Sequence, residues 1–327
     1  MQEKPKTLGV FTSGGDAPGM NAAIRAVVRT ATYYGVKVYG IRRGYEGMID
    51  GDFIEMDSPS VSNIIQRGGT ILKTARCERF KTVQGMEAAY KNVKANGIEG
   101  LIALGGDGTF RGGLEFEQKY SIPMIGVPCT IDNDLFGTDY TIGFDTAINT
   151  ALTAIDKIRD TADALNRLFF IEVMGHDAGF IAIHSGIAGG AEAILFPEGK
   201  TDTNTLINIL EKGWKRQKSS SIVVVAEGQH EGGAFEVALK VKEKFAHYDT
   251  RVSVIGHMQR GGSPTCMDRM LASRLGVAAV ENILNGERNK MVGMIHWNIE
   301  LTPFEKATKH TLEVNPHILK IAEILSI

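Results

Sequence analysis

Apolar runs of strand length alternate in the first half of the chain with longer segments whose apolar residues recur at helical spacing. This periodicity predicts strands at residues 8–11, 36–41, 101–104 and 124–127, and helices at residues 21–34, 83–95 and 110–120. A regular order of strand and helix is typical of a doubly wound parallel sheet with helices on both faces.

The same alternation continues in the second half of the chain. It predicts strands at residues 168–173, 222–226 and 252–255, and helices at residues 146–158, 178–188, 203–216, 234–245 and 267–284. We therefore expect the α/β class, with two doubly wound, mostly parallel-sheet lobes that face each other across an active-site cleft.

Composition narrows the class of protein. The chain has 327 residues, of which 43% are hydrophobic and 23% charged, so a sizeable core can form. The net charge of −2 argues against a general binder of nucleic acid or of membrane surfaces. The three cysteines lack the spacing of a metal site, and no apolar stretch approaches the ~18 residues of a membrane span. We expect reduced thiols and a cytoplasmic location.

Two short acidic segments each follow an apolar run: Gly105 to Thr109, which contains Asp107, and Thr130 to Asp134, which contains Asp132. Ligands bind at the carboxyl edge of a parallel sheet, where both segments are predicted to lie. A glycine-flanked aspartate suits Mg²⁺ on a phosphate, and a second carboxylate suits proton abstraction. The pair suggests phosphoryl transfer. The alternatives are a helix-capping aspartate and an ordinary Asn/Asp turn.

The turn after the first strand, Thr12 to Gly19, is rich in glycine and precedes a helix. Backbone N–H groups in such a turn can bind a phosphate at the helix N-terminus. It is not a P-loop, because Met20 and Asn21 stand where lysine and serine or threonine are required, and the dinucleotide-binding glycine spacing is absent. The alternative is a plain tight turn between a strand and a helix.

Cationic residues lie near predicted strand ends in the second half: Arg167, Arg251, and His257 with Arg260 in one glycine-ended loop. Arginine forks bind phosphate bidentately, so these residues are candidates for a phosphate site. Arg25 and Arg29 lie one helical turn apart on one face, and by spacing alone a solvated helix surface explains them better.

Taken in order, these segments resemble the 6-phosphofructokinase family, over nearly the whole chain. The matching segments are Thr12 to Ala23, Gly105 to Thr109, Thr130 to Asp134, Gly137 to Phe144, Glu172 to Gly175, and Gly256 to Pro264. The sequence is most similar to the bacterial ATP-dependent members, which are homotetramers that phosphorylate fructose 6-phosphate on its 1-hydroxyl. Gly-Gly-Asp-Gly-Thr alone also occurs in nicotinamide-nucleotide and lipid kinases.

The resemblance implies a role for each matching residue. The implied nucleotide site comprises Gly15, Arg76, Cys77, Gly106, Asp107, Gly108 and Thr109, with Asp107 on Mg²⁺. The implied reacting centre comprises Thr130, Asp132 as base, Asp134 and Arg76. The implied sugar-phosphate site comprises Thr130, Ile131, Asp132, Met174, Gly175, His176, Glu227, His257, Met258, Gln259 and Arg260, with Arg167 and Arg251 from a neighbouring subunit. The nucleotide lobe is expected at 1–142 with about 258–308, and the sugar-phosphate lobe at 143–257 with about 309–327.

The sequence departs from the family pattern at positions that bear on the phosphoryl donor. Cys129 stands where ATP-dependent members usually have glycine and pyrophosphate-dependent members lysine, whereas Gly108 favours ATP. His176 replaces a usual arginine. We predict an ATP-dependent kinase, with a pyrophosphate-dependent kinase as the alternative. Two alternatives come from other classes. A non-catalytic sensor would have no need of a base such as Asp132, and a nicotinamide-dependent oxidoreductase would require the dinucleotide-binding glycine spacing, which this sequence lacks.

The family's effector site binds ADP or phosphoenolpyruvate between subunits. The residues implied here are Arg25, Arg29, Arg159, Glu192, Arg216 and Lys218. Ser58 stands where an arginine is usual, and Ser219 and Ser220 where a lysine and a histidine are usual. Fewer cations bind a phosphate less strongly, so we expect a weakened or altered allosteric response.

Overall fold

In the computed structural model the described residues are 4–199, 202–216, 221–245, 249–307 and 315–325. The chain forms two compact units, Met1–Thr146 with Arg260–His310 and Ala147–Gln259 with Thr311–Ile327. The predicted assignment of nucleotide to one lobe and sugar phosphate to the other stays a prediction. Over the described ranges, no helix is both long enough and apolar enough to cross a membrane.

The first unit is built on a sheet of eight strands within the described ranges. They are β1 (Thr7–Thr12), β2 (Lys37–Ile41), β3 (Phe53–Met56), β4 (Gly100–Gly105), β5 (Met124–Thr130), β6 (Ile142–Gly143), β11 (Lys290–Ile295) and β12 (Asn298–Pro303). The order is β12-β11-β5-β4-β1-β2-β3, and β6 pairs with β5. The central pairs are parallel as predicted, whereas β3 and β12 add antiparallel edges.

Helices cover both faces of this sheet. They are α1 (Met20–Tyr33), α2 (Gly44–Asp50), α3 (Val83–Ala95), α4 (Asp107–Tyr120), the start of α5 (Phe144–Leu165), and α9 (Cys266–Leu284). Stacking of Phe110 on Phe304, with ring centroids 5.2 Å apart, fixes α4 against the sheet. On the other face, α9 approaches α1 closely because Gly276 faces Ala26, where a Cβ would lie 2.6 Å from the Ala26 Cβ.

The second unit contains a four-stranded sheet in which every pair is parallel. Its strands are β7 (Leu168–Val173), β8 (Ala193–Leu195), β9 (Ser221–Ala226) and β10 (Thr250–Val254), in the order β10-β7-β9-β8. The accompanying helices are α6 (Phe180–Ala188), α7 (Thr203–Lys215), α8 (Ala234–Lys244) and α10 (Pro316–Leu325). Phe170, Val223, Leu206 and Val237 belong to its buried core.

The periodicity missed several short elements, among them α2, β3, β8 and the β11–β12 hairpin. In the hairpin, Ile295 pairs with Asn298, so His296 and Trp297 alone form the turn. Both have positive φ values, 48° and 67°, as this turn type requires. Such turns are usually recognised by Asn-Gly or Asp-Gly, so His-Trp gives no sequence signal.

Candidate functional site

The candidate nucleotide residues lie at the carboxyl edge of three neighbouring strands, β1, β4 and β5. The Ser13 N–H donates to the Leu104 carbonyl (3.0 Å), and the Thr109 hydroxyl donates to the Ser13 carbonyl (3.2 Å). A Cβ on Gly106 would lie 3.8 Å from the Thr130 Cβ. The glycine turn and both acidic segments thus meet beside the β1–β4 pair, where the strand order changes direction and ligands bind in open α/β sheets.

Arg76 lies in a loop that is tied to the same glycine turn. The Thr74 hydroxyl donates to the Gly14 carbonyl (2.8 Å), and the Gly14 N–H donates to the Ala75 carbonyl (3.4 Å). The Arg76 side chain is exposed. An accessible cation beside the turn is suited to bind a phosphate there.

Cys77 follows Arg76, and its thiol is hydrogen-bonded to a neighbouring carboxylate. Its Sγ donates to Glu46 Oε2 at 2.7 Å, and Glu46 also binds Arg79. Burial, and then the hydrogen bond to Glu46, raise the pKa of Cys77 to about 11. The side chain is therefore a neutral thiol at physiological pH, and its contribution to a nucleotide site would be by contact rather than charge.

Asp107 is the first residue of α4, and its carboxylate is 22% exposed. Its Oδ1 accepts a hydrogen bond from Arg111 Nε at 2.8 Å. Among the described residues no group of three or more His, Cys, Asp or Glu is arranged to hold a metal ion. One accessible carboxylate with glycines on both sides fits Mg²⁺ that takes other ligands from substrate phosphates and water.

Arg260 contacts the glycine turn. Its Nη1 donates to the Asp16 carbonyl at 3.2 Å, and a Cβ on Gly15 would lie 2.9 Å from the same nitrogen. Gly15 therefore permits the guanidinium to lie close against the turn. Arg260, which the resemblance assigned to the sugar-phosphate site, thus lies in the first unit beside the glycine turn of the predicted nucleotide site.

Asp132 lies in a loop that is held in place at both ends. Thr130 Oγ1 lies 3.3 Å from Asp132 Oδ2 and accepts the Asp132 N–H at 3.2 Å. Asn133, with a φ of 53°, accepts the Thr141 N–H at 2.7 Å. Ile131 and Asp134 are buried, whereas Asp132 is partly exposed. Of these two acidic residues, Asp132 is therefore the more exposed, although its Oδ1 atom is itself buried.

Cys129 is 1% exposed and points away from Thr130, because successive side chains of a strand lie on opposite faces. Burial, with a smaller contribution from the charge of Asp268, raises the pKa of this thiol well above its usual value. The residue therefore stays neutral in the core and provides no positive charge for a bare pyrophosphate.

In the second unit, the candidate sugar-phosphate residues cluster at the carboxyl ends of β7 and β9. The Met174 N–H donates to Gln259 Oε1 (2.9 Å), and the His176 N–H donates to Glu227 Oε1 (3.0 Å). His176 has a φ of 53°. Nearby in sequence, the side chains of His257 and Met258 are exposed on the 3₁₀ helix Gly256–Arg260, and Gly175 has a φ of 147°.

Arg167 and Arg251 lie at the opposite edge of this sheet, at the start of β7 and β10. Asp249 bridges them, with its Oδ2 2.6 Å from Arg167 Nε and its Oδ1 2.5 Å from Arg251 Nη1. The six residues of β7, at about 3.3 Å each, separate this pair from His176 and Glu227. One copy of the second unit does not bring these two sets of residues together.

Two of the implied effector residues have hydrogen-bond partners within their own unit. Arg159 donates to the carbonyls of Gly189 and Gly190, and Glu192 accepts the Ile222 N–H. Partial burial and then the neighbouring charge of Arg29 lower the pKa of Arg25. Arg216 is exposed, and Lys218 lies outside the described residues.

Several residues that shape the site were not found by sequence reasoning. Asp249 and Thr141 act through partners distant in sequence, which no local spacing reveals. Arg111 could have been found, because it lies four residues after Asp107 in a helix and that spacing favours an ion pair.

Comparison with known proteins identifies the family. Residues 7–283 match the family model described as phosphofructokinase. The ATP-dependent 6-phosphofructokinase 1 of Thermus thermophilus is 56% identical over 98% of this chain and 100% of its own length. Phosphofructokinase from Saccharomyces cerevisiae has a TM-score of 0.89 at 32% identity, over 98% of this chain and 48% of that longer chain. The pyrophosphate-dependent phosphofructokinase from Marinobacter aquaeolei shares the fold, with a TM-score of 0.84 at 24% identity over 98% of this chain and 91% of its own. With most of its length matched by the family model and by a full-length relative, the chain belongs to the phosphofructokinase family.

Proposed function

We propose that the protein transfers the γ-phosphoryl group of MgATP to the 1-hydroxyl of fructose 6-phosphate, giving fructose 1,6-bisphosphate and ADP. The observation that carries this proposal is the meeting of the glycine turn, Asp107 and the Thr130–Asp134 loop at one sheet edge. The name of the Thermus thermophilus relative, an ATP-dependent 6-phosphofructokinase, supports the same donor and acceptor.

In this proposal the protein contributes positioning and charge rather than covalent chemistry, as phosphoryl transfer requires. Asp107 would hold Mg²⁺, which neutralises charge on the nucleotide phosphates when bound. Arg76 would bind the transferring phosphoryl group, and Asp132 would take the proton of the sugar hydroxyl as the new bond forms. The sugar phosphate would be bound by residues that the resemblance assigns to it, among them His176 and Glu227.

The pyrophosphate-dependent reaction is the second candidate within the family. Two features of the chain favour ATP over it. Gly108 leaves open space beside Asp107, because a Cβ at this position would have no heavy atom within 4 Å among the described residues other than its chain neighbours and the backbone of its own helix. Cys129 stands where pyrophosphate-dependent members usually have a lysine, and its side chain is buried and neutral.

Product analysis tests the activity directly. With fructose 6-phosphate and MgATP, ³¹P NMR should show ADP and fructose 1,6-bisphosphate forming in equal amounts, with the new phosphate on O1. Binding of both substrates without any product would instead support the alternative of a sensor.

We further propose that Arg167 and Arg251 serve the active site of a neighbouring subunit in a homotetramer. Their distance from His176 along β7 supports this. Arg251→Ser and Asp132→Asn should each be nearly inactive alone. If the two variants are dissociated, mixed in equal amounts and reassociated, half of the interfaces pair one variant with the other. Each of these hybrid interfaces contains one intact site out of two, so the mixture should recover about a quarter of wild-type activity. A mixture no more active than its separate components would exclude a shared site.

The effector response should be weak. Ser58 replaces a usual cation, and Arg159 is already bound to two carbonyls of its own unit. Micromolar ADP or phosphoenolpyruvate should shift the fructose 6-phosphate saturation curve by less than about threefold, since each lost charged hydrogen bond to phosphate weakens binding. A strong, saturable shift would contradict this expectation.

A further inference from the structure

A buried carboxylate outside the residues described so far joins the starts of two helices. Asp268 lies in the first turn of α9 and is 1% exposed. One oxygen accepts the Gly143 N–H at 2.8 Å, and the other accepts the Thr146 N–H at 2.8 Å together with the Thr146 hydroxyl. The Asp268 N–H in turn donates to Thr265 Oγ1 at 3.2 Å. Burial raises the pKa of Asp268 to about 6, so above that pH the ionised carboxylate accepts from all three donors.

Gly143, whose N–H donates to Asp268, lies at the C-terminal end of the loop that contains Asp132. Gly143 belongs to β6 and is paired in parallel with Thr130 of β5. Between these two residues the loop is closed by the Thr141 hydroxyl, which donates to the Thr130 carbonyl at 2.7 Å, and by the bond from the Thr141 N–H to Asn133. The hydrogen bond from Gly143 to Asp268 therefore attaches the loop to α9.

The glycine turn is fixed at the same point. Gly19 has a φ of 111°, and a Cβ there would lie 2.6 Å from Ile142 Cγ2 and 3.7 Å from the Asp268 Cβ. A Cβ on Gly143 would lie 2.7 Å from the Ala17 Cβ. These contacts leave little freedom for β6, so a change at Asp268 would be transmitted to the loop rather than absorbed by voids.

We propose that Asp268 is a positioning residue for the phosphoryl-transfer step, holding the Gly143 backbone so that Asp132 stays aimed at the substrate hydroxyl. This inference rests on the proposed function. Asp268 touches neither substrate, and it acts through Gly143 and Thr130. Misplacement of a catalytic group by about 1 Å costs up to ~10²-fold in rate, whereas a nucleotide held at the other strand ends would keep its affinity.

Asp268→Asn tests this, because one side of the amide would present N–H groups to the N–H donors of Gly143 or Thr146. The matched control is Thr146→Val, which removes the hydroxyl that donates to Asp268 and accepts the Thr265 N–H, and leaves the bond from Gly143 to Asp268. We expect kcat to fall by ~10- to 10²-fold in Asp268→Asn, with the dissociation constant of MgADP, measured by calorimetry, changed by less than about threefold. Thr146→Val should keep kcat within about threefold of wild type.

Hydrogen exchange provides a readout independent of activity. Amides in residues 130–146 should exchange faster in Asp268→Asn than in Thr146→Val. If Asp268→Asn does not fold, Asp268→Glu carries the same comparison. Equal kcat in the variant and the control, or unchanged exchange in residues 130–146, would overturn the proposal. If wild-type protein forms no product, the proposed function fails, and the exchange comparison still decides the role of Asp268.

Discussion

Asp132→Asn should lower kcat by ~10²- to 10⁴-fold, the usual cost of losing a general base. The amide has the shape of the carboxylate and can still accept a hydrogen bond from the Thr130 hydroxyl, so the loop should keep its geometry. Its oxygen is a far weaker base, and the sugar hydroxyl would have no group to take its proton. The KM for ATP should stay nearly unchanged, because the lost interaction exists only in the transition state.

Asp139→Asn is the matched control for this variant. Asp139 lies in the same loop and is exposed, and its carboxylate accepts the His296 N–H at 2.7 Å, which an amide oxygen can also do. Its kcat should stay within about twofold of wild type. If Asp132→Asn keeps more than a tenth of wild-type kcat, Asp132 is not the base.

Gly108→Asp should lower kcat/KM for ATP by ~10²-fold, because a second carboxylate beside the nucleotide phosphates is a like-charge contact that costs several kcal/mol. The fold should tolerate the change. Apart from its chain neighbours and the backbone of its own helix, no described heavy atom lies within 4 Å of the Cβ position. An acidic residue in the first turn of α4 also interacts favourably with the helix dipole. Steady-state kinetics with ATP, together with a thermal unfolding curve, measures both effects.

Gly108→Ala separates charge from size at this position. It fills the same open space without a charge, so its kcat/KM for ATP should stay within about threefold of wild type. Two equally impaired variants would mean that side-chain bulk excludes ATP. If Gly108→Asp keeps wild-type kcat/KM for ATP, the nucleotide phosphates do not lie close to residue 108 when bound.

The central sheet and the meeting of the acidic segments follow from local sequence. The apolar runs before Gly105 and Thr130 are short, continuous and buried, which is the signature of central parallel strands, and β4 and β5 are neighbours. Because parallel strands present their carboxyl ends together, the position of Asp107 relative to the Thr130 segment is predictable from the order of apolar runs and acidic turns alone.

Other parts of the site depend on contacts between residues far apart in sequence. The bridge of Asp249 to Arg167 joins residues 82 positions apart, and the bond of Asp268 to Gly143 joins residues 125 positions apart. Neither leaves a periodic or local trace in the sequence. The contact of Arg260 with the glycine turn likewise joins residues 244 positions apart.

The measurement that tests the account most directly compares phosphoryl donors in the wild-type protein, with fructose 6-phosphate and Mg²⁺ held constant. We expect fructose 1,6-bisphosphate to form with ATP at a kcat/KM at least ~10²-fold above that with pyrophosphate, because a buried, neutral Cys129 provides no charge for the smaller donor. Equal or greater efficiency with pyrophosphate, or no product with either donor, would contradict it.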